Sequence, residues 1–282
     1  MISRAWPAPA KLNLFLHITG RRADGYHMLQ TLFQFIDYCD LIDFTLRDAR
    51  DVNRISKLPG VPEKEDLVIR AARLLQEKTG YRGGVAIHVE KRIPAGGGLG
   101  GGSSDAATAL VALNQLWRLG LTLDELTGLG LQLGADVPVF VRGRAAWAEG
   151  VGEELTPLES PECWYLVILP NCTVSTAEVF NSVDLTRNTP PITIHGFLAK
   201  GGRNDCEIVV RKRYPQVAEA MEWLSEFGTA RVTGTGACIF AAFDEEGQAR
   251  EPMEKMPSSL QGFVARGRNY SPLHGRLEQE TG

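Results

Sequence analysis

The chain has 282 residues, 44% of them hydrophobic and 23% charged, and carries a formal net charge of −4. That length suits two modest domains, the balance is that of an ordinary globular protein, and the mild acidity excludes a non-specific grip on nucleic acid. The five cysteines form no Cys-x-x-Cys pair and the longest N-terminal apolar stretch, Leu12 to Ile18, is short and broken by polar residues; no disulfide framework, zinc site, export signal or membrane span is expected, and a cytoplasmic location fits.

Lys11 to Ile18 and Leu29 to Ile36 alternate apolar and polar residues and predict strands, joined by a turn-rich polar loop from Thr19 to Tyr26. Leu41 to Leu46 predicts a further strand. Asp66 to Lys78 has helical spacing at Leu67, Ala71, Leu74 and Leu75 and stops before Gly80, and Val85, Ile87 and Val89 then alternate as a strand. After a glycine-dense segment, Ala106, Ala109, Leu110, Leu113 and Leu116 mark one face of a helix that ends near Gly120. Thr122 and Glu125 have capping-box spacing and open a second helix that ends around Gly134. Glycines 150 and 152 predict a hairpin turn, and Trp164 to Leu169 the next strand.

Asn181 to Pro191, rich in Asn, Thr and Pro, predicts a loop. Beyond it come helices around 205–213 and 215–227, a strand at Cys238–Phe243, a helix near 245–256 and a strand at Gly262–Arg266. Arg211, Lys212 and Arg213 make too short a run for a nucleic-acid tract and predict a solvated helix face. Strands and helices mix in both halves, so the fold class is α+β, with domains expected at 1–157 and 158–282.

The segment before the Ala-rich helix is Pro94, Ala95, Gly96, Gly97, Gly98, Leu99, Gly100, Gly101, Gly102, Ser103 and Ser104. Six glycines in seven positions cost conformational entropy, so they must serve something that needs bare backbone. A cradle of N–H groups ahead of a helix N-terminus suits a polyphosphate. The spacing Gly96-x-Gly98-x-x-Gly101 satisfies a dinucleotide fingerprint, but Lys91 to Pro94 separate strand from loop and no acidic strand end follows at the right distance. A Walker loop needs a lysine before the Ser/Thr, and none precedes Ser103. Ser103 or Ser104 would cap the helix, or turn a hydroxyl to a phosphate or a metal ion.

Three segments together, Pro9 to Leu16, Pro94 to Ser104 and Thr233 to Cys238, resemble in order and spacing the three motifs of the galactokinase, homoserine kinase, mevalonate kinase and phosphomevalonate kinase superfamily. Ala10-Lys-Leu-Asn13, Arg22-Ala-Asp-Gly-Tyr-His27, Leu133 to Phe140 and Asn204-Asp-Cys206 resemble the branch that acts on a cytidyl diphosphate sugar alcohol. The resemblance runs nearly end to end. It implies ATP as phosphoryl donor, Mg2+ as its companion ion, and transfer to the 2-hydroxyl of a methylerythritol unit in the non-mevalonate route to isoprenoid precursors. It also implies an N-terminal domain with a left-handed βαβ unit, a ferredoxin-like C-terminal domain, and an active site in the cleft between them. Small-molecule partners, no nucleic acid or membrane, and a monomer or homodimer complete the expectation.

Read alone, Asp136 is a turn or cap residue. Lys11 is either an edge-strand lysine or an inward one that needs a partner. The resemblance makes Asp136 the catalytic base and Lys11 its cationic companion. It gives Asn13, on the same strand face as Lys11, a hydrogen bond to the sugar-alcohol chain. Tyr26 would stack on the cytosine, His27 would hydrogen-bond its edge, and Phe180 would cover the other face; read alone, Phe180 is as well placed in a core. Two departures stand out: Asp66 and Asp105 occupy positions where the family often has Asn, which puts acidic groups near the nucleotide. His17, His88, His195 and His274 lack ligand spacing and are expected to be structural.

Overall fold

Two long strands, β1 (Ile2–Arg21) and β2 (His27–Arg47), pair antiparallel in a computed structural model that describes residues 1–58 and 60–281. The alternating segments read from the sequence lie within them. Leu41 to Leu46 is not a separate strand, as expected above, but the continuation of β2. The break in alternation at Asp37-Tyr38 is absorbed as a bulge, since Pro9 pairs with Cys39 while Ala10 pairs with Ile36.

β3 (Val52–Arg54) and β4 (Gly84–Glu90) extend this sheet on the far side of β2. Between them lies α1 (Leu67–Thr79), whose N-cap Asp66 accepts from the Val68 N–H and which stops at Gly80 in the left-handed region. α2 (Gly101–Leu116) is buried at every position from Ser104 to Leu113, so it forms an inner layer instead of a surface helix. α3 (Leu123–Leu133) opens in the Thr122–Glu125 capping box. α4 (Val137–Arg142) is six residues long and too uniformly apolar to show a period, which is why the sequence did not signal it. β5 (Ala146–Glu149) and β6 (Glu154–Pro157) form the expected hairpin around Gly150 and Gly152.

β7 (Trp164–Leu169) is followed by α5 (Thr176–Asn181), α6 (Ile194–Lys200), α7 (Glu207–Arg213), α8 (Pro215–Ser225), β8 (Arg231–Val232), β9 (Ile239–Phe243), α9 (Glu246–Glu254), β10 (Gln261–Arg268) and α10 (Pro272–Thr281). β10 pairs with β7 along Gln261–Arg266, then Gly267 and Arg268 pair with Ile36 and Phe35 of β2. One ten-stranded sheet therefore runs through the described residues. One apolar cluster under β1, β2 and β4 holds Trp6, Phe44, Leu110 and Phe140. A second, around β7 and β9, holds Leu166, Val179, Val210 and Ile239. Between them a smaller cluster of Leu12, Ile36, Leu99, Val167 and Phe240 packs the seam, and Leu99 brings the glycine loop into it.

Candidate active site

The glycine loop is fixed by backbone. Lys11 N–H donates to Leu99 O (3.0 Å), while Ala237 and Cys238 N–H donate to Gly96 O and Gly97 O (3.3 and 3.1 Å). The loop is thus held between β1 and the turn before β9 through its carbonyls, and the N–H groups of Gly96 to Gly100 find no acceptor among the described residues. A Cβ on Gly98, whose φ is +75°, would lie 2.2 Å from Thr233 O, so that position admits only glycine. α2 starts at Gly101 with Gly100 as N-cap. Ser103 and Ser104 are therefore inside the first turn, and neither caps the helix as the sequence suggested. The first N–H groups of α2 and its positive dipole end face the loop.

A cavity of about 770 Å³ opens beside this loop, lined by Lys11, Asn13, Tyr26, His27, Asp136, Phe180, Gly96, Gly98, Gly100 and Ser103. A second cavity of about 410 Å³ lies on the other side of the same loop, lined by Pro94 to Ser103 together with Leu58, Asp66, Leu67, Lys91 and Asp105. Gly96, Gly98, Gly100 and Ser103 border both. Of the residues that the sequence assigns to the nucleotide and acceptor sites, Ser104 reaches neither. It is fully buried, and its hydroxyl has no partner among the described residues.

Lys11 is 3% exposed and its ammonium points three ways: 2.5 Å to Asn13 Oδ1, 2.9 Å to Gly98 O and 3.5 Å to Asp136 Oδ2. Burial pulls its pKa below that of an ordinary lysine, against the opposing pull of Asp136. Asp136 sits at the N-cap position of α4, yet its carboxylate makes no capping bond. It faces the cavity with 37% of its side chain exposed. An aspartate at such a position that declines to cap is free for other work. Asn13 is oriented at both ends of its amide, since Nδ2 uses one of its two N–H groups on Thr31 Oγ1 (2.9 Å).

At the cavity's other end Tyr26 is 65% exposed and lines the opening. The rings of His27 and Phe180 stack at 4.9 Å between centroids, 19° from parallel. Arg187 Nε–H donates to His27 Nε2 (3.2 Å). Burial, then the Arg187 and Arg21 charges, hold the His27 pKa below its usual value.

In the second cavity Lys91 bridges the buried carboxylates of Asp40 and Asp105, the latter at 2.8 Å. Burial pushes the Asp105 carboxyl up to about 7, with Lys91 opposing. Burial lowers the Lys91 pKa, but the two aspartates outweigh it and raise the ammonium above its ordinary value. Asp66 pairs with buried Arg54 at 3.2 Å. Both acidic departures are thus salt-bridged. Nothing in the sequence signals Thr31, Arg187 or the Lys91 cluster. Each acts through a neighbour distant in the chain, and no local spacing encodes that.

Comparison with known proteins gives matches across the chain. The GHMP kinase N-terminal domain family matches residues 66–144 and the GHMP kinase C-terminal family residues 193–261. A 4-diphosphocytidyl-2-C-methyl-D-erythritol kinase of Nitrosococcus oceani is 60% identical over 97% of this chain and 98% of its own length. One from Alkalilimnicola ehrlichii is 59% identical over 99% of this chain and 96% of its own length. A crystal structure of a 4-(cytidine 5'-diphospho)-2C-methyl-D-erythritol kinase superposes with a TM-score of 0.80 at 33% identity, covering 95% of this chain and 99% of that one. A Cytophaga hutchinsonii homoserine kinase shares the fold at 16% identity and a TM-score of 0.71.

Proposed function

The chain belongs to the GHMP kinases, and within them to the 4-diphosphocytidyl-2-C-methyl-D-erythritol kinases, and from that premise we propose how its own residues carry out the reaction. It is a small-molecule kinase that uses ATP to phosphorylate the 2-hydroxyl of 4-diphosphocytidyl-2-C-methyl-D-erythritol, in isoprenoid precursor synthesis.

Pro94 to Ser104 hold the nucleotide, with the triphosphate on the free N–H groups of the loop and of the α2 N-terminus, and the base in the smaller cavity near Leu67 and Lys91. Ser104, enclosed beneath the loop, supports its shape without touching phosphate. The alcohol lies in the larger cavity, its chain on Asn13 and its base beside Tyr26, His27 and Phe180. The 2-hydroxyl oxygen attacks the γ-phosphorus as the bond to the β–γ bridging oxygen breaks. Asp136 takes the hydroxyl proton, and ADP departs. Lys11 pairs with Asp136 at 3.5 Å and supplies positive charge beside the attacking oxygen.

Among the described residues no three His, Cys, Asp or Glu side chains converge as a metal cage. Mg2+ is an ion usually carried on phosphate oxygens with its own waters. The glycine loop would hold it through the triphosphate, where it neutralises charge. The division at 157/158, a cytoplasmic site of action and a monomer or homodimer belong to the same reading. Among the described residues no helix is long and apolar enough to cross a membrane.

One observation carries the assignment of roles: a single ammonium, that of Lys11, touches both the donor loop at Gly98 and the aspartate facing the acceptor cavity. Coupled ADP release with the cytidyl alcohol, homoserine and mevalonate as acceptors, for wild type and Asp136→Asn, tests it. Turnover with the cytidyl alcohol alone, lost in the variant, is expected. Turnover with another acceptor, or full activity in the variant, would overturn it.

A further inference from the structure

We propose that Arg187 is a positioning residue that sets the base preference of the acceptor site, by fixing His27 in the tautomer whose free ring nitrogen carries a proton. The cavity then reads an acceptor edge, which cytosine presents at N3 and O2, and rejects the N3–H of uracil. This deepens the reading of His27 as a base contact and rests on it.

Arg187 lies in the irregular stretch after α5. Its guanidinium donates to His27 Nε2 (3.2 Å), Phe180 O (2.8 Å), Ser182 O (2.7 Å) and Leu185 O (3.2 Å). Arginine has donors only, so Nε2 must accept with its lone pair. A neutral imidazole that accepts at Nε2 carries its proton at Nδ1, the nitrogen left to meet a ligand in the cavity that His27 lines. The same guanidinium ties down the carbonyls at the end of α5, which holds the Phe180 ring against the imidazole. One side chain thus sets both the proton position and the stacking partner of His27.

Burial first, and then the surrounding charges, disfavour the imidazolium. Arg187 and Arg21 act on it directly as cations. In the adjoining loop Arg22 and Asp24 pair with each other. On α5 Glu178 accepts from Tyr214, and beyond it Asp184 pairs with Lys212. The carboxylates nearby are therefore engaged elsewhere, and none of these contacts holds a second proton on the imidazole.

The test has two arms on the full-length enzyme. Long-range 15N–1H correlation spectra of the wild type report the His27 tautomer without any substrate. A proton on Nδ1 is expected, and a proton on Nε2 would overturn the proposal whether or not variants fold. In kinetics, Arg187→Ala should raise KM for the cytidyl alcohol about tenfold, leave kcat and KM for ATP in place, and narrow discrimination against the uridyl counterpart by a similar factor. In that variant the cytidyl KM should improve on the acid side of neutrality at a higher pH than in the wild type, because losing the Arg187 charge eases formation of the imidazolium that restores the N–H at Nδ1. Arg187→Lys, which can also only donate, should retain the discrimination. A folded Arg187→Ala with unchanged discrimination and pH profile overturns the proposal. If His27→Ala leaves the cytidyl KM unchanged, the base-contact reading itself fails, a result separate from the tautomer measurement.

Discussion

The ammonium of Lys11 stands 3.5 Å from Asp136 Oδ2, with the lysine 3% and the aspartate 37% exposed. The cation is sealed into the protein while its carboxylate partner looks into the acceptor cavity. That asymmetry assigns the roles: the buried member supports and the exposed member meets the substrate. Asp136→Asn should lower kcat by about 10²–10⁴-fold, the usual worth of a positioned base, with KM for ATP little changed. Steady-state kinetics with each substrate varied in turn checks this. A fall in kcat/KM that came entirely from KM for ATP would move Asp136 out of the base role.

Lys11 supplies a pH dependence whose sign follows from burial. Desolvation lowers its pKa from the ordinary 10.5, so it loses its proton earlier than a surface lysine as the pH rises. The ammonium form is the one that holds Gly98 O and Asp136. Activity should therefore be full at neutral pH and decline on the alkaline side below pH 10.5. In Lys11→Met the residual rate should be low and lack that alkaline limb. The pH profile of kcat/KM for both proteins decides it.

How much of this was legible in the sequence depends on whether a feature is local. The capping box at Thr122–Glu125 and the shared face of Lys11 and Asn13 follow from spacing alone, and both are in the structure. The apolar run of α4 and the six-residue α5 lack enough turns to show a period, so the helices that follow Asp136 and carry Phe180 went unread. Of the two options for Ser103 or Ser104, capping fails because a glycine stretch hides where a helix begins, and α2 starts at Gly101. Asp105 looked like an acidic intrusion at the nucleotide. Only the fold shows that Lys91, from the segment after β4, meets it together with Asp40 of β2.

That cluster predicts a stability change. Two buried aspartates share one lysine, and burial pushes the Asp105 carboxyl up to about 7 from 3.8. Between those values the folded chain retains a proton that the unfolded chain has lost. Its contribution to stability is therefore full below pH 3.8 and is lost as the pH rises through about 7. Asp105→Asn removes the surplus negative charge, keeps an oxygen for Lys91, and leaves Lys91 paired with Asp40. At pH 8 the variant should be more stable by about 1–3 kcal/mol, with the advantage shrinking towards pH 5. Thermal and urea unfolding at both pH values measure this. Equal stabilities at pH 8 would mean that Asp105 carries no such cost.

Within the glycine loop, position decides what a methyl group does. A Cβ on Gly98 would meet Thr233 O at 2.2 Å, and the backbone there has a φ of +75°. Thr233 O and Gly236 O, the latter at 3.2 Å, are both main chain and can retreat only by pulling the loop off the turn before β9. Gly98→Ala should destabilise the protein by more than about 2 kcal/mol and raise KM for ATP. On Gly102, in the first turn of α2, a Cβ would meet Leu67 Cδ1 at 3.8 Å, an ordinary van der Waals contact. Gly102→Ala should stabilise the helix by about 0.5–1 kcal/mol, because alanine loses less backbone entropy on folding. If the phosphates lie on this turn, KM for ATP should nonetheless rise, since the added methyl stands where bare backbone approaches the ligand. Opposite effects on melting temperature with the same effect on KM would place the nucleotide on the loop and the α2 N-terminus together. A Gly102→Ala enzyme that is stabilised and binds ATP as before would confine the phosphates to Gly96–Gly100.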